Sequence, residues 1–160
     1  MSGTQMMLVI GGIALFSMLL INVHKSVLNS EEQQISAEYI SIATTVAQDM
    51  LEEVSNKNFD EATLNNADYD ASLITAPASL GPETGESLTT YDDVDDYNSY
   101  TRTVSTLRGG DFSVKVTVNY VDDDDYENDL SVKSRTKKID VAVYNPYLPD
   151  TLHFNYFKSY

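Results

Sequence analysis

The sequence predicts an α+β fold: one long N-terminal α-helix whose C-terminal half packs on a small antiparallel β-sheet. Three observations predict it. A charge-free apolar run, Met6–Val23, passes without proline into a stretch whose apolar residues recur with helical period. Strict apolar–polar alternation returns only late, at Phe112–Tyr120 and around Ile139–Val143. Arg108-Gly109-Gly110-Asp111, ahead of the first of these, has hairpin-turn chemistry.

The apolar run comes first. From Met6 to Ile21 only Gly11, Gly12 and Ser17 interrupt the large or methyl-bearing side chains. At about 1.5 Å per residue the run reaches roughly 27 Å as a helix, close to the hydrocarbon thickness of a bilayer. Helix is the form that satisfies its own backbone in lipid. Met1–Gln5 carries no basic side chain, and no Ala-x-Ala site follows at Asn22–Lys25, so the run reads as a retained helix and not as a cleaved secretory signal. Gly11-Gly12 lowers helix propensity, either as tolerance for close helix packing or as a weak point where the helix can stretch.

Helical character continues. No Pro or Gly occurs between Gly12 and Pro77. Ile35, Tyr39, Ile42, Val46, Met50 and Val54 recur every three or four residues, and Ala43, Ala47 and Leu51 widen the stripe. Its expected contact is the chain's own domain, with further contacts to copies of the helix at other heights. Thr4 to about Asn56 therefore reads as one helix of roughly 80 Å, longer than any bilayer needs. Asn56–Asp60 ends it, with Lys57 suited to the negative end of the helix dipole. The predicted organisation is a helix over 1–58, apolar over 1–25 and amphipathic over 26–58, then a globular β domain over 59–160.

Residues 59–100 read as a long connecting loop with short turns, punctuated by Pro77, Gly81, Pro82 and Gly85. A loop of that length usually has a job. Tyr100–Leu107 reads as a first strand and Phe112–Tyr120 as a second, with Phe112, Val114, Val116, Val118 and Tyr120 facing one way. Asp122–Asp129 reads as a loop, Lys133–Tyr144 as a third strand, and Thr151–Tyr160 as an added edge strand. Strands in sequence order make an antiparallel meander whose apolar face needs a cover, and the helical stripe supplies it.

Composition excludes several functions. All 25 acidic residues follow the apolar run, Glu31 being the first, and the net charge is −15. Nucleic acid is excluded as a partner, because phosphate binding needs clustered Lys and Arg. The acidic body belongs in an aqueous space outside the cytoplasm. There is no Cys, so neither disulfide staples nor thiolate chemistry are possible. His24 closes the apolar run at an interface, and His153 lies in an aromatic-rich tail. No nucleophile triad, phosphate loop or His-rich metal spacing is present, and the expectation is a protein that is not an enzyme. The 11 Tyr and 5 Phe are scattered, as core packing and subunit contacts require.

The layout resembles that of type IV pilins and pseudopilins. The residues that carry the resemblance are Met6–Leu20, the run Ala37–Ala47, and the paired strands Ser113–Val121 and Lys137–Val143. Two departures stand beside it. Counted from Met1, Gln5 occupies the place where the family carries Glu, and the family's helix-kinking proline and basic leader have no counterpart ahead of or within the apolar run. The resemblance implies a structural subunit, held in the inner membrane before assembly and then polymerised with itself into an extracellular helical filament for adhesion, motility or surface contact. Its assembly residues would be Gln5, Met6, Leu8, Ile10, Ile13, Leu15, Phe16, Leu19 and Leu20. The alternatives are a membrane-anchored minor component of a secretion machine and an anchored Ca²⁺-binding module.

Two acidic clusters are the remaining candidates: Asp92, Asp93, Asp95 and Asp96, and Asp122–Asp125 with Glu127 and Asp129. The plain reading of both is a solvated, self-repelling loop. The sharper reading is a Ca²⁺ site, because hard cations take several loop oxygens, with Asp122, Asp123, Asp124 and Asp125 favoured for lying between strands. No other cofactor is expected.

Overall fold

The computed structural model describes residues 2–64 and 69–160. Helix α1 (Gly3–Ser55) is followed by 3₁₀ turns at Glu61–Leu64, Pro77–Ser79 and Asp95–Tyr97. Five strands complete the chain: β1 (Thr101–Thr106), β2 (Gly110–Val121), β3 (Asp129–Leu130), β4 (Thr136–Tyr144) and β5 (Leu152–Ser159). The chain divides into two compact units, Met1–Glu38 and Tyr39–Tyr160, and α1 contributes to both. Met1 and residues 65–68 of the expected 59–100 loop lie outside the described residues.

Helix α1 is unbroken through Gly11-Gly12, and a Cβ added at either glycine meets nothing within 4 Å. In the second unit the predicted stripe is the buried one. Ala43, Val46, Ala47, Met50 and Val54 are buried, and Tyr39, Ile42 and Leu51 are partly so. Ile35 does not join them; its side chain is exposed, since it lies in the first unit. The last turn is capped from a distance. Lys158 on β5 donates to Ser55 O at 2.8 Å and to Lys57 O, placing a cation on the orphan carbonyls at the negative helix end. This corrects the role expected for Lys57, whose ammonium turns to Tyr91 O at 2.6 Å instead.

The sheet is antiparallel, in the order β1-β2-β4-β5, with β3 on the far end of β2. Alternation along β2 buries Phe112, Val114, Val116, Val118 and Tyr120. Val114, Val116 and Val118 pair across to Val143, Val141 and Ile139 of β4, forming the apolar face that the helical stripe covers. Each such side chain, fully buried, contributes about 1.5–3 kcal/mol. The opposite face is polar, with Asp140 on β4 meeting His153 on β5 at 3.0 Å.

Two boundaries differ from expectation. The third long strand begins at Thr136 and not at Lys133, because the Ser134 hydroxyl bonds Val121 O at 2.7 Å and Thr136 O at 2.9 Å and turns the chain there. Asp129, expected to close a loop, instead forms β3 with Leu130 against Tyr120 and Val121. The β1–β2 turn needs both its glycines. Gly110 sits at φ +68°, and a Cβ on Gly109 would lie 2.6 Å from the buried Phe112 ring.

Candidate functional site: an uncovered apolar helix and convergent carboxylates

Over residues 6–23 no side chain of α1 is buried within the chain. Met6, Leu8, Ile10, Ile13, Leu15, Phe16, Leu19 and Leu20 are all exposed; Leu8 is 77% and Leu15 72% accessible. At about 100° per residue these positions, with Met7, Met18 and Ile21 in the sector they leave, ring the helix, so it is apolar on every side and has no polar face to turn to water. The segment is long and apolar enough to cross a membrane. The N-terminal turn is closed locally: Ser2 N–H donates to Gln5 Oε1 at 3.2 Å, and Gln5 N–H donates to Ser2 O at 3.0 Å. No acid lies in the first turn, so the positive end of the helix dipole has no carboxylate there to offset it.

The second feature lies where the connecting loop meets the sheet. Lys137 is fully buried in β4, in phase with Ile139, Val141 and Val143. Its ammonium donates to Phe59 O at 2.7 Å, Asp60 Oδ2 at 3.1 Å and Asp95 Oδ1 at 2.6 Å, and lies 4.5 Å from the Phe59 ring centre. One cation thus ties the helix exit and the end of the loop to the sheet. Asp93, Asp95 and Asp96 are each no more than 1% exposed, which corrects the solvated reading of that cluster. Local donors explain how the acids enter the interior. Asp93 accepts Glu61 N–H at 2.8 Å and Asp95 N–H at 2.9 Å; Asp60 accepts Thr75 N–H at 2.8 Å. Burial, and then contact with the Asp95 carboxyl, pushes Asp93 up to about 9, so at neutral pH it keeps its proton.

Beside this network further carboxylates converge. Among the described residues, two groups of three have oxygens within 4.8 Å of one another: Glu61, Glu83, Glu86 and Glu86, Asp92, Asp96. Glu86 belongs to both. Burial first, and contact with Glu86 second, pushes Glu83 up to about 8. Burial also raises Asp96, opposed by backbone donors and reinforced by Glu86, and raises Glu61, with Asp92 adding to it. Such crowding is stable only with shared protons or a bound cation.

Asp122–Asp125 are placed differently. All four are exposed: Asp122 and Asp125 serve local turns, accepting Asp124 N–H at 3.0 Å and Glu127 N–H at 3.1 Å, and Asp123 accepts the Thr136 hydroxyl of β4 at 2.7 Å. Hydrogen bonds from Asn128 and Glu127 hold Asp125 below the usual carboxylate range. Acidic spacing alone could not distinguish the two clusters. One signal for Lys137 was available: its odd-numbered position on the inward parity of β4. Tyr91, Tyr97 and Tyr100 pack edge to face at 5.2–6.4 Å, whereas Tyr126, Tyr144, Tyr147 and Tyr156 are exposed.

Comparison with protein-family models, with curated proteins and with solved structures yields no match to this chain.

Proposed function

We propose that the chain is a structural subunit of an extracellular, pilus-like helical filament, anchored in the inner membrane by α1 before assembly. The observation that carries the reading is the ring of exposed apolar side chains over residues 6–23, attached to a separately cored acidic body. Water is excluded as the environment of that segment, since each of its large side chains left wet costs about 1.5–3 kcal/mol. Lipid or a bundle of identical helices satisfies it equally, because hydrocarbon and leucine are alike in polarity. Close packing is what favours the bundle. Gly11, Gly12, Ala14 and Ser17 supply small side chains where neighbouring helices can approach. Repeated head-to-tail contacts whose rotation does not close give an open fibre. The body's acidic surface keeps the domains soluble and directed outward.

Electron microscopy of material sheared from the cell surface, with antibody against residues 101–160, tests the reading. Labelled fibres are the expected result. Recovery of the chain in membrane fractions alone, with no labelled fibre, would overturn it in favour of an anchored component of a secretion machine.

A further inference from the structure

We propose that Glu61, Glu83, Glu86, Asp92 and Asp96 bind one divalent cation, Ca²⁺ by ligand type, which staples the connecting loop at its start, its middle and its end. The inference concerns the body alone and stands whether or not the chain polymerises.

Convergence is the first observation. The oxygens in each group lie within 4.8 Å of one another. Two ligands of one Ca²⁺, each at about 2.3–2.6 Å, lie up to about 5 Å apart, so each group has the spacing of ligands on one ion, and Glu86 is common to both. The second observation is independent. Asp96 is 1% exposed, and its Oδ1 has no hydrogen-bond partner. Its other oxygen is fixed by the N–H groups of Asp92 at 2.9 Å and Asp93 at 3.2 Å, and the carboxyl is in contact with Glu86, the residue common to both groups. A buried carboxylate oxygen left unpaired costs about 1–3 kcal/mol or more. Asp92 Oδ1 and Glu83 Oε2 are buried and unpartnered in the same way. The three carboxylates with an unpaired buried oxygen thus all belong to groups that share Glu86, where a cation would supply the missing partner.

The ligand chemistry selects the ion. Every ligand is a hard carboxylate oxygen, with no His or Cys, which suits Ca²⁺ or Mg²⁺ and not zinc or copper. Side chains from an irregular loop cannot impose the strict octahedron that Mg²⁺ demands, whereas Ca²⁺ accepts six to eight oxygens in loose geometry. In the fold, the ion would join the 3₁₀ turn after α1, the Glu83–Glu86 bend and the Asp92–Asp96 segment next to Lys137.

The test uses the full chain, purified in detergent and stripped with EDTA. Calorimetric titration with CaCl₂ is expected to give one site with Kd below about 1 mM, and about 10 mM CaCl₂ to raise Tm by about 5 °C or more. MgCl₂ at the same concentration is expected to give less than half that rise. Glu86→Gln is expected to melt in EDTA no lower than the wild type, since it removes a repelling charge, and to lose the Ca²⁺ rise. Asp124→Asn is expected to keep it. Should Glu86→Gln melt lower in EDTA, Glu83→Gln carries the same test. An absence of heat and of any Tm shift in the wild type would overturn the proposal. So would a Ca²⁺ rise that survives Glu86→Gln, or Glu83→Gln in its place, or one abolished by Asp124→Asn.

Discussion

Replacing Lys137 with methionine tests how the body is held together. The ammonium is fully buried and donates to Phe59 O, Asp60 and Asp95 at 2.6–3.1 Å. Lys137→Met keeps most of the length and the apolar stem but removes the three hydrogen bonds and the cation that Asp60 and Asp95 share. Breaking one side of a buried ion pair costs about 3–5 kcal/mol, because the acids stay buried without compensation. Against a typical total of about 5–15 kcal/mol, that is a large fraction of the body's stability. At about 3–5 °C per kcal/mol for a domain of this size, Tm should fall by about 10–20 °C. Near-ultraviolet circular dichroism of the tyrosines during urea and thermal unfolding, on the full chain in detergent, reads the change. The triple variant Lys137→Met, Asp60→Asn, Asp95→Asn should recover at least half of the loss, since its buried set is neutral. A Lys137→Met protein within about 1 kcal/mol of the wild type would refute the reasoning.

Three further outcomes follow. Leu15→Asp puts a charge in the middle of the apolar ring and should abolish fibres while the tyrosine dichroism of the body is unchanged; normal fibres would show that residue 15 is not in the filament core. Gly109→Ala drives a Cβ to 2.6 Å from the Phe112 ring, which is locked in the core, and should cost about 1–3 kcal/mol by urea unfolding. In EDTA the body should lose stability as pH rises from about 5 to about 8. Asp93 is raised to about 9 and Glu83 to about 8, so between the ordinary carboxylate range and those values the native state holds protons that the unfolded chain has released, and its stability falls across that window. A Tm that climbs steadily over the same range would contradict this assignment.

Much of the fold was legible because its signals are local and periodic. The apolar run and stripe predicted Thr4 to about Asn56, and α1 is Gly3–Ser55. Alternation placed Phe112–Tyr120 within β2 and Ile139–Val143 within β4, and Thr151–Tyr160 contains β5. What the sequence hid depends on contacts between distant residues. Four aspartates within five positions look solvated, yet three are buried, because Lys137 arrives from 42 residues beyond Asp95 and backbone N–H groups meet Asp93 and one oxygen of Asp96. The helix cap from Lys158 crosses 103 residues to Ser55. Glu61, Glu83 and Glu86 carry no shared motif, and only the path of the loop brings them together. The residues proposed for assembly rest on composition alone, which identifies a segment that must leave water but not its final neighbours.

Helical reconstruction by cryo-electron microscopy of fibres sheared from the native surface bears most directly on the central claim. The account predicts that residues 6–23 of every subunit line the fibre axis as packed helices, with the β-sheet bodies outside. Fibres built from another protein, or from this chain with its N-terminal helix left in a membrane, would contradict it.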